Sequence, residues 1–248
     1  MEGLQQRLLE NGCFRQEELV FWDCDREQRM RVAAILSKMV AFAGYDYDAR
    51  GLTHQVLWEN REVFFLSRAA IRIHDCPHAQ EVLDITTWEN GAKAAHMRRA
   101  YEMRDQRGRA RISARTDWIL VDPITRKILR PSAFRAKPVM DSDRALDCPE
   151  TKKLALPGTD RESLGSRFVR WSDLDGNGHL FSGNYGDIIW DALPEDLQVQ
   201  VPREFYINYS REAVLGDELR LEGCRSEDGY LVEGMGPHGS CFTALCVF

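Results

Sequence analysis

Three polar side chains alternate along one short segment of the sequence, Asp175, Asn177 and His179. A histidine changes protonation near neutral pH and can move protons, and a neighbouring carboxylate can orient its ring. Asparagine adds a neutral amide donor. The segment is therefore suited both to acid–base chemistry and to stabilising a developing oxyanion. A structural Asp-Gly-Asn-Gly turn with a capping histidine is the alternative, and the residue types alone leave both open.

The elements on either side would position this segment. A strand is predicted at Ser166–Ser172 and a helix from about Ser182 to Ala192, so the free N–H groups at the start of the helix would face the same loop. The stretch from Trp171 to Asp175 matches the stretch from Phe21 to Asp25, 150 residues earlier, in an aromatic residue and both aspartates. The chain is thus predicted to contain two copies of one strand–helix–strands unit that pair edge to edge.

The remaining pattern predicts the elements of both copies. A polar helix is expected at 2–10, and an apolar helix from Met30 to Ala43, capped by Asp25 with Gln28 and stopped by Gly44. Because this second helix is apolar on more than one face, we expect a sheet to wrap around it. A Pro-rich stretch at 135–165 is predicted to link the copies. Strands are predicted at 18–23, 55–58, 63–73, 81–88, 93–104, 109–121, 127–129, 204–210, 217–223, 230–233 and 241–248.

Three other motifs suggest different chemistry and fail on context. The run from Asp173 to Leu180 resembles the start of an EF-hand calcium loop, but its twelfth position is Asn184 instead of glutamate and no entering helix precedes it. Gly234-x-Gly236-x-x-Gly239 has the spacing of a dinucleotide-binding loop, but contains a proline and has only nine residues after it. The set His74-x-Cys76-x-His78 lacks a further paired cluster and is predicted to be a loop.

Composition and charge restrict the class of protein. The chain has 248 residues, 33 Lys and Arg against 39 Asp and Glu, and seven cysteines without a CxxC pair, as expected of a globular protein with reduced thiols. No apolar run is long enough to span a membrane, and the amino terminus lacks the pattern of a signal or transit peptide. Residues 91–137 hold thirteen Lys and Arg against four Asp and Glu, so this region either attracts an acidic partner or is a solvated pair of strands with outward-facing arginines. No nucleic-acid-binding motif is present.

Two further motifs carry a resemblance to a known family. Asp175-x-Asn177-x-His179, with Tyr185 six residues and Asp191 twelve residues after the histidine, resembles the signature of plant and bacterial acyl-acyl-carrier-protein thioesterases. The segment Tyr209-Ser210-Arg211-Glu212 resembles that family's Tyr-Arg-Arg-Glu strand. The stretches 88–104 and 115–127 are similar to its paired central strands, so the resemblance covers roughly residues 18–248.

The resemblance implies an α+β fold of two tandem hotdog units, each a curved antiparallel sheet wrapped around a long helix. Residues 1–134 would form the first unit, which houses the acyl chain, 135–165 the linker, and 166–248 the catalytic unit. Carried over by position, Asp175, Asn177, His179 and Glu212 form the catalytic set. Glu212 would be the base or the attacking carboxylate, with its role relative to Asp175 left open. Glu27 and Arg29 replace Asn177 and His179 in the first copy, which should be inert.

The resemblance also implies a reaction and partners. The expected activity is hydrolysis of the thioester of fatty acyl-acyl-carrier-protein without a cofactor or metal, with the acidic carrier docking on the basic region 91–137. A hotdog acyl-CoA thioesterase and a non-catalytic acyl-binding relative are the alternatives. Met30, Ile35, Leu36, Met39 and Val40 would line the acyl tunnel or form core. Neither nucleic acid nor a membrane is expected as a partner. The expected compartment is the bacterial cytoplasm, and a homodimer is compatible with the sequence.

The sequence departs from the family pattern at two places. Leu180, Phe181 and Ser182 follow the histidine where the family has a hydrophobic residue and two asparagines, so the oxyanion geometry could differ. Ala213 stands where plant members often have a cysteine after the glutamate. We therefore expect chemistry that needs no thiol at that position.

Overall fold

The computed structural model describes residues 4–141 and 143–248. In the first half, the strands are β1 (Gln6–Leu8), β2 (Gly12–Glu18), β3 (Val63–Ile73), β4 (Val82–Lys93), β5 (His96–Arg104) and β6 (Ala110–Val121), with helices α1 (Val32–Ala49) and α2 (His54–Glu59). In the second half, the strands are β7 (Glu162–Phe168), β8 (Glu204–Tyr209), β9 (Glu218–Ser226), β10 (Gly229–Gly236) and β11 (Gly239–Val247), with helices α3 (Tyr185–Ala192) and α4 (Glu195–Gln198). No helix in these ranges is long and apolar enough to cross a membrane.

All of these strands join one antiparallel sheet in the order β1-β2-β4-β5-β6-β3-β8-β11-β10-β9-β7. Strands β3 and β8 pair from Arg68 opposite Asn208 to Arg72 opposite Glu204, which joins the two halves edge to edge as predicted. This pairing removes an exposed sheet edge from each half. The α+β class and the pair of sheet-and-helix units are therefore confirmed, although the second helix, α3, has only 8 residues.

Helix α1 lies inside the sheet, as its apolar residues on several faces predicted. Ile35, Leu36, Met39 and Phe42 are fully buried in the main core, which continues into the second half. Helix α3 packs against α1 at Gly186, where an added Cβ atom would lie 2.7 Å from the backbone of Ala33. The absence of a side chain at this position thus permits the close approach of the two helices.

The chain between the halves covers the face of the sheet opposite the helices. The Leu154 N–H donates to Asn208 Oδ1 at 2.8 Å, and Asn208 Nδ2 donates to the Lys152 carbonyl at 2.9 Å. Thr151 Oγ1 donates to Asp117 Oδ2 at 2.6 Å. Strand β7 begins at Glu162, inside the predicted linker and ahead of the predicted strand start at Ser166. The linker is therefore packed against the sheet.

The structure corrects the predicted elements near the amino terminus. The segment predicted as a helix at 2–10 contains strand β1, which pairs with β2 across a turn in which the Leu9 N–H donates to the Gly12 carbonyl at 2.8 Å. Residues 1–3 lie outside the described residues. The strand predicted at 18–23 is wrong in position, because β2 ends at Glu18 and residues 21–23 form a 3-10 turn. Pairing with a neighbouring strand decided both segments.

Four further predictions were wrong. Gly44 does not stop α1, because packing offsets a glycine cost of about 1 kcal/mol and the helix continues to Ala49. Asp25 does not cap this helix: Arg31 occupies the N-cap position and makes no side-chain cap bond. The strand predicted at 55–58 is helix α2, where Thr53 Oγ1 accepts from the Val56 N–H at 3.4 Å. The strand predicted at 127–129 is reduced to one bridge, between Val121 and Ile128.

Candidate active site

The loop that carries His179 is braced by a single carboxylate. Asp175 Oδ1 accepts from the backbone N–H of Asn177 at 2.8 Å and of His179 at 3.2 Å. The Asp175 N–H donates to the His179 carbonyl at 2.8 Å, and Gly178 has a φ of +80°, a conformation that favours glycine. Asp175 therefore fixes the backbone from which the Asn177 and His179 side chains project.

The first half repeats this loop with different side chains. Asp25 Oδ1 accepts from the backbone N–H of Glu27 at 2.8 Å and of Arg29 at 2.9 Å. Its other carboxylate oxygen, Oδ2, accepts from the Arg29 guanidinium at 2.8 Å, and Arg29 occupies the position of His179. The predicted 150-residue repeat is thus present in three dimensions, with an ion pair in the first copy in place of the histidine.

The segment that follows β8 brings Glu212 to His179. The Leu180 N–H donates to the Ala213 carbonyl at 2.8 Å, and His179 forms a β-bridge with Val214. As a result, Glu212 Oε2 lies 3.4 Å from His179 Nε2. The equivalent bond in the first half joins the Met30 N–H to the Pro77 carbonyl at 2.8 Å. This places Cys76, immediately before Pro77, at the position of Glu212.

All four predicted site residues lie on one cavity of about 1250 Å³ between the two halves. Asp175, Asn177, His179 and Glu212 line the part formed by the second half. The volume exceeds the roughly 300–1,000 Å³ typical of small-molecule pockets. The first half supplies apolar and aromatic walls from α1, α2, the turn between them and strands β3, β5 and β6. These walls include Val40, Leu52, Leu57, Phe64, Leu66, Met97, Trp118 and Ile119.

The lining of the cavity differs in part from the predicted tunnel. Of the five residues expected to line it or to form core, Val40 lines the cavity, whereas Met30, Ile35, Leu36 and Met39 are buried in the core. The apolar pattern of the helix correctly indicated that these residues are buried, but it did not show which side of the helix faces the cavity. The cavity instead follows the second half of α1, from Val40 to Asp48, which extends past the predicted helix end at Gly44.

Two tyrosines form a rigid wall beside the histidine. The rings of Tyr185 and Tyr209 meet edge to face with centroids 5.4 Å apart, and the Tyr209 hydroxyl donates to the Ser182 carbonyl at 3.0 Å. Burial raises the pKa of both phenols, so both stay neutral at physiological pH. Together they hold residues 181–185, where α3 begins, against the cavity.

A group of buried charges also contributes to the cavity wall. Arg99 and Glu89 line the cavity with only 3% of each side chain exposed. Arg99 donates to Asp46 Oδ2 at 2.8 Å and to Glu89 Oε1, and the Tyr47 hydroxyl donates to the same Glu89 oxygen at 2.9 Å. The sequence indicated a basic strand here but not that one of its arginines is buried.

The three residues that were considered as metal ligands, His74, Cys76 and His78, contact other protein groups. His74 Nε2 lies 3.0 Å from Ser113 Oγ, and the Cys76 thiol lies 3.6 Å from the Met30 carbonyl. His78 Nδ1 lies 3.6 Å from Glu81. Among the described residues, no group of three or more His, Cys, Asp or Glu side chains is arranged to hold a metal ion.

One contact at the candidate site was missed by the sequence interpretation. Arg126, in the loop after β6 of the first half, donates to Glu212 Oε2 at 2.9 Å. It belongs to the stretch that resembles the family's central strands, but its distance of 86 residues from Glu212 in the sequence gave no indication of contact.

Comparisons with known proteins match both halves of the chain. The family model described as "Acyl-ACP thioesterase N-terminal domain" matches residues 13–132, and "Acyl-ACP thioesterase C-terminal domain" matches residues 159–232, together more than half of the chain. A chloroplastic palmitoyl-acyl carrier protein thioesterase of Arabidopsis thaliana is 24% identical over 196 residues, which are 75% of this chain and 47% of that protein. The chain therefore spans about half the length of this curated relative.

Solved structures share the fold over nearly the whole chain. An acyl-ACP thioesterase from Bacteroides thetaiotaomicron superposes with a TM-score of 0.83 at 24% identity, covering 95% of this chain and 96% of that one. A 12:0-ACP thioesterase from Umbellularia californica superposes with a TM-score of 0.75 at 16% identity, covering 94% and 95%. At these identities the similarity shows the fold alone.

Proposed function

Because the chain belongs to the acyl-ACP thioesterase family, we propose that it hydrolyses the thioester of fatty acyl-acyl-carrier-protein and releases the free fatty acid. The observation that carries this proposal is the juxtaposition of His179 and Glu212 at a large apolar cavity. A thioester is already activated, so its hydrolysis needs a placed water, a base and an oxyanion site, and the residues at the cavity can supply each of them.

We assign the base to Glu212 and the orienting role to Asp175. Asp175 Oδ1 is occupied by two backbone N–H groups, and Asp25 makes the same two bonds in the first copy, where no histidine is present. These backbone hydrogen bonds therefore explain why an aspartate stands at this position in both copies. Glu212 instead faces the histidine ring at 3.4 Å, a separation slightly longer than a hydrogen bond, as is common for catalytic pairs without substrate.

The carbonyl of the thioester would lie between His179, Asn177 and the start of α3. The Asn177 amide lines the cavity and can donate to the carbonyl oxygen. The amino-terminal end of α3 carries the partial positive charge of the helix dipole and favours a developing oxyanion. Ala213, next to Glu212, is fully buried and offers no nucleophile. Water activated by Glu212 is the attacking group that these residues support best.

The acyl chain would occupy the part of the cavity formed by the first half. Apart from the buried Arg99 and Glu89, its walls are mostly aliphatic and aromatic, and burial of methylene groups against them contributes roughly 0.8 kcal/mol each. The first half, which has Arg29 in place of the histidine, would thus bind the chain and leave hydrolysis to the second half. The domain bounds at 134 and 166, the bacterial cytoplasm as the compartment and a homodimer stay predictions.

The carrier would dock at the end of the sheet next to the cavity, on a docking surface formed by Lys93, Arg126, Lys127 and Arg130. All four are exposed and lie in the hairpin between β4 and β5 or in the loop after β6. The basic region 91–137 is not one continuous surface, because much of its charge is used within the fold. Arg98, Arg99, Arg104, Arg109, Arg111, Arg115 and Arg135 all form ion pairs, and Arg126 of the docking surface pairs with Glu212.

The test is release of free thiol and fatty acid from a panel of acyl-carrier-protein and acyl-CoA thioesters. We expect the wild type to prefer carrier-bound substrates, and His179→Ala and Glu212→Ala each to lose about 10²–10⁴-fold in rate. Glu227→Ala, in the turn between β9 and β10, is the matched control and should keep the wild-type rate. Melting temperatures of all variants would exclude unfolding as the cause.

Other results would redirect the assignment. Preference for acyl-CoA would identify a CoA thioesterase, and binding of acyl carriers without release would identify a non-catalytic relative. Rates within threefold of wild type in both site variants would refute the proposed roles of His179 and Glu212.

A further inference from the structure

The loop after β6 is built to hold one arginine in an unusual conformation. Asp122 Oδ1 accepts from the backbone N–H of Ile124 at 2.9 Å and of Thr125 at 3.2 Å, and the Arg126 N–H donates to the Asp122 carbonyl at 2.8 Å. Arg126 has a φ of +55°, a left-handed conformation that is uncommon for residues other than glycine. Such a conformation persists where surrounding bonds determine it.

The bonds that hold the loop are insensitive to pH in the working range. Desolvation acts to raise the pKa of the Asp122 carboxyl, but hydrogen bonds from Thr125, Ile124 and Arg61 lower it to about 2. A carboxylate with a depressed pKa stabilises the folded state above its ordinary pKa of about 3.8, and this contribution is lost only as the pH falls towards 2. The loop therefore stays braced wherever the enzyme would act.

From this loop, the Arg126 guanidinium reaches across the interface between the two halves. It donates to Glu212 Oε2 at 2.9 Å, the same oxygen that lies 3.4 Å from His179 Nε2. The Arg126 side chain is 72% exposed and that of Glu212 is 30% exposed. An ion pair this exposed contributes little to stability. The main effect of this ion pair is to place the Glu212 carboxylate.

Placement matters because a glutamate side chain has three rotatable bonds and Glu212 lies beyond the end of β8. The contacts that Arg126 and His179 both make with Oε2 select one orientation of its carboxylate. We infer that Arg126 is a positioning residue that holds Glu212 towards His179, so that the first half, inert in its own copy of the loop, completes the site of the second. This inference rests on the proposed role of Glu212 as the base.

The experiment must separate this role from carrier docking, because Arg126 is also part of the docking surface. Kinetics would be measured for Arg126→Gln and Arg126→Lys with an acyl-carrier-protein and with a small acyl-N-acetylcysteamine thioester that lacks the carrier. We expect Arg126→Gln to lower kcat about tenfold on both substrates, since misplacement of a catalytic group by about 1 Å can cost up to about 10²-fold. Arg126→Lys should recover part of the loss.

Two further variants serve as comparisons. Lys127→Gln removes a neighbouring charge of the docking surface and should raise only KM for the carrier substrate. Arg107→Gln, at the hairpin between β5 and β6 at the opposite end of the sheet, should match the wild type on both substrates. If Arg126→Gln behaves like Lys127→Gln, Arg126 serves docking alone and the inference is overturned.

A crystal structure of the Arg126→Gln variant provides a readout independent of turnover. We expect the Glu212 carboxylate to move away from His179 or to become disordered. A Glu212 carboxylate unchanged in position would overturn the inference. Absence of hydrolysis by the wild type would instead refute the proposed function, while the position of Glu212 would still decide whether Arg126 holds it.

Discussion

Replacement of Arg99 by methionine would leave a buried carboxylate without its cation. Arg99 donates to Asp46 and Glu89, and its side chain is 3% exposed. Burial opposes the charged form of Arg99, but Glu89, Tyr101, Tyr47 and Asp46 together more than offset this, and the pKa of Arg99 is raised. Asp46 would keep Arg50, at 2.9 Å, whereas Glu89 would keep only the Tyr47 hydroxyl among the contacts described above.

The expected loss of stability follows from the carboxylate of Glu89, which is left without a cation. Removing one partner of a buried ion pair destabilises a protein by about 3–5 kcal/mol, because the remaining charge stays in a medium of low dielectric constant. For a chain of this length, each kcal/mol lowers the melting temperature by roughly 2–4 °C, so we expect a fall of roughly 10 °C. Adding Glu89→Gln neutralises the stranded charge and should restore at least half of the loss.

Urea denaturation and thermal melts of the single and double variants would measure these changes. Arg104→Met is the matched control on the same strand, since the Arg104 side chain is 43% exposed and its pair with Glu102 should contribute about 1 kcal/mol or less. If Arg99→Met costs no more than Arg104→Met, or if Glu89→Gln destabilises the Arg99 variant further, the stranded-charge reasoning is refuted.

Three further predictions follow from local packing and chemistry. Gly186→Ala should lower the free energy of unfolding, measured by urea denaturation, by about 1–3 kcal/mol, because its Cβ would lie 2.7 Å from the Ala33 backbone. Gly44→Ala has no atom within 4 Å of the added Cβ and should raise the free energy of unfolding by about 0.5–1 kcal/mol. The reverse order of the two effects would contradict the packing. Asp122→Ala should lower kcat as Arg126→Gln does, and the double variant should be no slower than either single one; additive losses would show independent roles. Burial raises the pKa of all seven cysteine thiols, so iodoacetamide at neutral pH should leave activity intact, and rapid inactivation would reveal a reactive thiol.

The repeat is the part of the fold that was most predictable. The aspartates at 25 and 175 recur because each braces the same turn with the same backbone bonds, a local requirement that leaves a trace in the sequence. The errors arose where distant contacts decide. Residues 6–8 form a strand because β2 is beside them, and α1 continues through Gly44 because packing against the sheet stabilises its last turns.

The sequence by itself determined the chemistry available to this protein: a loop with Asp175, Asn177 and His179, a second copy that keeps only the aspartate, and the motif containing Glu212. These depend on residue types and short spacings, which the chain carries directly. The tertiary structure decided which of these groups meet, because pairing of β3 with β8 and the bridge from His179 to Val214 join segments far apart in sequence. The same long-range packing brings Arg126 to Glu212 and buries Arg99 beside the cavity, since only the folded sheet sets those distances.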